Sequence, residues 1–178
     1  MKRFMTFLSG IVFCLAALAV GGYLYVRSGH MPVATAAPPL PLEKRIAGIA
    51  LKAKVQAEAP QNVPIKPDEP NLTAGAQIYA VNCAFCHGLP NQTAAPAAAK
   101  GMFPVPPQLF EDTVTDDPVG ETYWKVANGI RLTGMPSFSK SLSDTQMWQV
   151  SLLMAHADKL PEPAKAALSP NAVATVKK

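Results

Sequence analysis

The chain has 178 residues with a hydrophobic content of 49%, which is enough for one domain with appendages. This size excludes a multidomain enzyme and a polytopic transporter, and three cysteines cannot form a disulfide framework. The formal net charge is +4, but residues 71–160 carry five basic and seven acidic side chains and no basic stripe with interleaved aromatics, so we expect no nucleic-acid partner.

The first segment, residues 1–30, has the composition of a membrane anchor. Residues 4–26 carry no charge and are long enough, at about 1.5 Å per residue, to cross a hydrocarbon core of about 30 Å. Lys2 and Arg3 precede this run, so the positive-inside rule predicts a single span with the remainder exported. A cleaved signal peptide is the alternative, and the length of the run favours a retained anchor. We expect the protein at a bacterial inner (cytoplasmic) membrane, with its domain on the periplasmic side.

Residues 31–70 form a predicted linker that is rich in proline and alanine. Eight prolines fall in this stretch, which is typical of a semi-rigid spacer. Residues 42–59 lack an internal proline and predict a short helix. We interpret that helix as a solvated linker segment in preference to a docking element for a membrane partner.

The exported domain, residues 71–160, begins with two predicted helices. The first covers residues 72–82, starting near Thr73, and runs directly into a pair of cysteines. The second has Asp117 as its N-cap with Pro118 at the first helical position, and Gly129 ends it about three turns later.

The last predicted helix of the domain has the clearest start signal. Ser143 and Gln146 form a capping-box pattern, and an apolar side follows it as far as Leu160. No segment alternates between apolar and polar residues over a strand's length, so the predicted fold class is all-α. Residues 161–178 are rich in alanine, lysine and proline and predict a flexible tail.

The most specific motif is C-x-x-C-H, formed by Cys83, Cys86 and His87, which is the attachment pattern of c-type haem. Two thiols one helical turn apart can add to the two vinyl groups of the porphyrin, and the histidine can then ligate the iron. A redox dithiol would need an α/β context. Structural zinc would need a fourth ligand, and His30 and His156 are isolated. The motif therefore favours covalent haem c with its iron.

Four methionines after the motif could supply a second iron ligand. Met147 and Met154 lie on the last helix, where an apolar face explains them, and Met102 lies in a proline-rich loop. Met135 lies between Gly134 and Pro136, which permit close approach of the backbone and stiffen it, so Met135 is favoured.

Residues 73–160 resemble the class I c-type cytochromes, which are monohaem domains. The matching positions are Gly75, Tyr79, Cys83 to His87, Asn128-Gly129-Ile130, Thr133 to Phe138, and Trp148. The resemblance implies a cytochrome c-like fold around one haem, with His87 as the proximal iron ligand and Met135 as the distal one.

The resemblance also implies contacts within the domain. The first and last helices should cross, with Gly75 and Tyr79 against Trp148. Trp124 and Arg131 resemble residues near the haem edge and propionates, although a plain surface charge explains Arg131 equally well. The proline-rich insertion at residues 104–107 departs from the family and leaves open which carbonyl orients His87.

Histidine–methionine ligation fills both axial positions of the iron and raises its reduction potential, which suits outer-sphere electron transfer over catalysis. We therefore expect a membrane-anchored electron carrier, not an enzyme, working between respiratory complexes or from an exported dehydrogenase to an oxidase. A dedicated subunit of such a complex is a close variant, and the redox partners are unidentified. The alternative is a haem enzyme or gas sensor with a displaceable distal ligand, for which His156 would be the remaining acid–base group.

Overall fold

The computed structural model describes residues 2–92, 94–110, 117–170 and 172. Within these residues the chain forms helices and no strands, which confirms the predicted all-α class. The helices are α1 (Lys2–Arg27), α2 (Glu43–Glu58), α3 (Glu69–Asn82), α4 (Ala84–His87), α5 (Ala97–Lys100), α6 (Val119–Asn128), α7 (Asp144–Ala155) and α8 (Glu162–Ala167). The chain divides into two compact units, Met1–Pro41 and Leu42–Lys178.

The first unit contains α1. Its segment Arg3–Arg27 is long and apolar enough to cross a membrane by length and composition, and none of it is buried. A fully exposed apolar helix has no packing partner in its own unit, as the anchor prediction requires, and a signal sequence has the same properties.

In the second unit, α3 begins earlier than predicted. It starts at Glu69, not near Thr73, because the carboxylate of Asp68 accepts a hydrogen bond of 3.1 Å from the amide of Asn71. Pro70 is tolerated in this first turn, where backbone amides have no partner within the helix.

The core of the second unit forms where α3 crosses α7. At Gly75 the helices approach so closely that a Cβ atom would collide with the main-chain carbonyl of Gln149, the residue after Trp148. The predicted crossing of the two helices is therefore present. The ring contacts differ from the implied packing of Tyr79 against Trp148. Trp148 stacks on Tyr123 at a centroid distance of 4.0 Å, and Tyr79 makes an edge contact with Phe110 at 5.1 Å.

The ends of α6 and α7 test three further predictions. The capping box is confirmed, since Ser143 and Gln146 each pair with the other's backbone amide. Gly129 ends α6 with a positive φ of 67°. Asp117 is not the N-cap of α6, because its carboxylate instead pairs with Lys125 at 2.8 Å.

Part of the predicted linker belongs to the second unit. The α2 helix packs on α6, and its Val55 is only 2% exposed. The indole N–H of Trp124 donates to the carboxylate of Glu58 at 3.1 Å, which ties the end of α2 to α6. The interpretation of this segment as a solvated linker is therefore wrong for the helix.

The predicted flexible tail is also wrong for its first ten residues. The α8 helix packs against α3, where Ala164 and Leu168 join the apolar core. These two buried side chains and the partly buried Ala167 make the contact, and the alanine, lysine and proline around them give a composition typical of disorder. The rest of the tail lies outside the described residues except for residue 172.

Burial of Leu168 provides a test of this correction. We expect Leu168→Ala to lower the free energy of unfolding by about 2–5 kcal/mol, because a buried leucine is replaced by a cavity. The measurement is denaturant unfolding of the full chain in detergent, followed by circular dichroism. Lys165→Ala on the exposed side of α8 is the control and should change the free energy of unfolding by about 0.5 kcal/mol or less. Equal, negligible effects of both changes would show a detached tail.

Candidate haem site

The Cys83–His87 motif folds as a single helical turn at the end of α3. Cys83 is the C-cap of α3 and the N-cap of α4. Its carbonyl accepts from the amides of Cys86 and His87 at 3.0 and 2.9 Å. Both thiols are therefore held one turn apart on one rigid segment, and both are partly accessible.

The thiol of Cys83 does not have the electrostatics of a reactive redox cysteine. Burial, with a smaller contribution from the nearby Cys86, raises the pKa of Cys83 to about 12. Reactive dithiols instead need a thiol whose pKa is lowered by a helix N-terminus or a cation. A Cys83 thiol with a raised pKa, one helical turn from Cys86, fits covalent attachment better than disulfide exchange.

The imidazole of His87 is oriented by the proline-rich loop. Its Nδ1 lies 2.8 Å from the carbonyl oxygen of Pro107. A carbonyl can only accept, so Nδ1 carries the hydrogen and Nε2 keeps its lone pair. Burial lowers the pKa of His87, against a smaller opposing effect of the Pro107 hydrogen bond. The ring is thus neutral at pH 7 and presents one nitrogen to a metal, the arrangement that second-shell carbonyls give ligating histidines.

Two further contacts fix the loop around the motif. The buried hydroxyl of Tyr79 donates to the carbonyl of Gly88 at 2.8 Å, which sets the exit of the chain from α4. The side-chain amide of Gln108 donates to the carbonyl of Cys86 at 3.4 Å. The proline-rich loop is therefore attached to the motif at both Pro107 and Gln108.

Met135 lies in a second loop that folds back on the end of α6. The hydroxyl of Thr133 donates to the carbonyl of Ile130 at 2.7 Å and accepts from the amide of Met135 at 3.0 Å. The carbonyl of Met135 in turn accepts from the amide of Ile130 at 3.1 Å. The backbone of Met135 is therefore held on both sides, while its side chain packs against the core.

The far end of this loop is also tied to α6. The hydroxyl of Ser137 donates to the carbonyl of Ala127 at 2.6 Å. The amide of Phe138 donates to the carbonyl of Val126 at 3.0 Å. Gly129 permits this close return: a Cβ atom there would lie 2.6 Å from the amide nitrogen of Ser137.

Met102 reaches the same loop. Its sulfur would lie 2.8 Å from a Cβ atom added to Gly134, next to Met135. Met102 and Met135, the two loop methionines among the candidates, thus both adjoin Gly134, the first by contact and the second along the chain. Met147 and Met154 are buried in the α3–α7 core, as their positions on an apolar helix face predict.

The remaining candidate residues have no contact in the described structure that assigns them to the site, although Arg131 belongs to the Met135 loop. Trp124 donates to Glu58, and Arg131 is exposed. Their assignment to a haem environment stays a prediction. Nδ1 of His156 lies 2.9 Å from the carbonyl of Leu152 in its own helix, a local capping contact.

Residues 70–154 match a family model described as Cytochrome C oxidase, cbb3-type, subunit III. The match supports a c-type cytochrome domain. It begins in the first turn of α3 and ends within α7, so the matched region includes both the Cys83–His87 motif and the Met135 loop. No curated protein and no solved structure matches the chain.

The residues of the matched region fit haem c. A neutral imidazole with a carbonyl on Nδ1 lies directly after two thiols on one helical turn. Among the described residues, no group of three or more histidine, cysteine, aspartate or glutamate side chains lies together to hold a bare metal ion. Cys83 and Cys86 would hold the porphyrin, and His87 would ligate the iron.

Sequence reasoning left open that the carbonyl of Pro107 orients His87, did not find Gln108, and gave Thr133 and Ser137 no role beyond membership of a matching segment. Pro107 and Gln108 follow the motif by about twenty residues and carry no local signal. The threonine and serine could have been noticed as short side chains that hydrogen-bond nearby backbone in tight loops.

Gly129 allows a test of how the Met135 loop is held. We expect Gly129→Ala to lower the free energy of unfolding by about 1–3 kcal/mol, because an alanine there meets the returning backbone and has an unfavourable positive φ. Gly101→Ala is the matched control, since its φ is negative and the nearest atom lies 3.8 Å away. Thermal unfolding of both variants measures the difference. Equal stability of the two variants would contradict a closely packed loop.

Proposed function

We propose that this chain is a membrane-anchored monohaem c-type cytochrome that transfers single electrons between proteins and is not itself an enzyme. When bound, haem c supplies reversible one-electron chemistry at its iron. The observation that carries the proposal is the hydrogen bond from His87 to the carbonyl of Pro107. It leaves the lone pair of Nε2 available on the residue directly after Cys86, as ligation of an attached haem's iron needs.

Met135 is the proposed distal ligand. Its backbone is fixed by Thr133 and Ile130, and its side chain is partly buried against the core. A ligand held in this way resists displacement, which favours electron transfer over the binding of a substrate or gas at the iron. Partly buried Phe110 and Phe138 pack against the same core.

We further propose that α1 is retained as the anchor in a bacterial inner membrane and that the domain is periplasmic. The length and apolar composition of Arg3–Arg27 support a span, and covalent attachment of haem c fits an exported domain. The proposed partners are an electron donor and an acceptor of respiratory type. The family description of residues 70–154 supports the variant in which the chain is a subunit of an oxidase.

The distal ligand is tested by changing the two loop methionines separately. We expect Met135→Ala to remove the ferric iron–sulfur charge-transfer absorption, lower the reduction potential and allow carbon monoxide to bind the reduced protein, because the thioether that fills the sixth position is lost. Met102→Leu keeps an apolar side chain against Gly134 and is the matched control. It should leave all three properties nearly unchanged.

Two other results would contradict the proposal. Loss of the absorption in Met102→Leu but not in Met135→Ala would assign the ligand to Met102. Rapid, stoichiometric binding of carbon monoxide to the unaltered reduced protein would instead favour the haem enzyme or gas sensor.

A further inference from the structure

The α2 helix has two apolar sides, and only one of them faces the domain. Val55 contributes to the domain-facing side, where it is 2% exposed. On the same side, the ammonium of Lys44 lies 5.5 Å from the ring centre of Phe103, and Glu58 accepts from Trp124. These contacts run the length of the helix and fix which side is turned outward.

Ile46 and Ile49 occupy the outward side. They are three residues apart and therefore close together on the helix surface, while Val55 follows Ile46 by two and a half turns, at about 3.6 residues per turn, on the opposite side. Each isoleucine is 62% exposed, as is Leu42 just before the helix. Two adjacent β-branched apolar side chains turned away from the domain do nothing for its core.

A basic edge borders this outward stripe. Arg45 and Lys52 are seven residues apart and so lie on one side of the helix, next to Ile49. Neither forms an ion pair with any residue that the structure describes. An apolar stripe with a cationic edge is the pattern of a helix that lies in the interface of an anionic lipid bilayer.

The covalent chain keeps α2 near a membrane if α1 spans it. Residues 28–41 are the only connection between α1 and the second unit, and fourteen extended residues reach at most about 50 Å. This step rests on the proposed anchor. It favours lipid over a soluble protein partner as the occupant of the stripe, because the bilayer is always within reach.

We propose that α2 binds the membrane surface, with Ile46 and Ile49 inserted at the boundary of headgroups and acyl chains and Arg45 and Lys52 at lipid phosphates. Since α2 packs on α6, this contact turns the α6 side of the domain toward the bilayer. The electron-transfer domain would then be held in one orientation on its tether.

The test uses nitroxide labels on the full, haem-loaded chain in vesicles of phosphatidylcholine with and without phosphatidylglycerol. Single cysteines replace Ile46, Ile49 or the exposed Ala47 in a Cys14→Ala background, and the reduced protein is measured. We expect the nitroxides at residues 46 and 49 to lose collisions with a water-soluble nickel chelate and gain collisions with oxygen. The label at residue 47, outside the stripe, should stay aqueous. Arg45→Gln with Lys52→Gln should remove the difference that phosphatidylglycerol makes.

Two results would overturn the proposal. If the nitroxides at all three positions remain exposed to water, α2 does not bind lipid. Shielding of residues 46 and 49 from both the chelate and oxygen would show a protein contact, such as a second copy of this chain. Failure of the proposed function is visible separately: without the anchor the chain does not float with the vesicles, and without attached haem Cys83 and Cys86 also take up label.

Discussion

The hydrogen bond between Nδ1 of His87 and the carbonyl of Pro107 is the interaction on which the site depends. It joins the haem-attachment turn to a proline-rich loop that has almost no regular structure of its own. The bond selects one tautomer of the imidazole and so decides which nitrogen is available to iron. Tyr79 and Gln108 donate to the carbonyls of the residues just after and just before His87, so the protein itself holds the imidazole ring in place.

The Met135 loop, which follows α6, is also held by hydrogen bonds to main-chain carbonyls. Short polar side chains, Thr133 and Ser137, replace the hydrogen bonds that a helix or strand would provide. Gly129 lets the loop return close to the end of α6, and Met102 fills the space beside Gly134. Side chains near Met135 therefore determine how firmly the proposed ligand is held, and with it the balance between electron transfer and ligand exchange.

Features set by a few neighbouring residues could be predicted from the sequence. The all-α class, the capping box at Ser143 and the end of α6 at Gly129 follow from local rules, and the structure has each of them. Features that depend on distant packing could not. One buried valine and the Trp124–Glu58 hydrogen bond attach α2, and a few small or apolar side chains attach α8, in segments whose overall composition is typical of linkers and tails. The partner of His87 is twenty residues away and is a main-chain carbonyl, which leaves no trace in residue type.

Covalent attachment of one haem through Cys83 and Cys86 is the central claim, and intact mass measures it most directly. The full chain, produced with a haem-attachment system and extracted with acidic acetone, should keep a mass equal to the polypeptide plus a single haem. After digestion, that added mass should lie on the peptide containing both cysteines. Recovery of the bare polypeptide mass, with two thiols that can still be alkylated, would contradict the account.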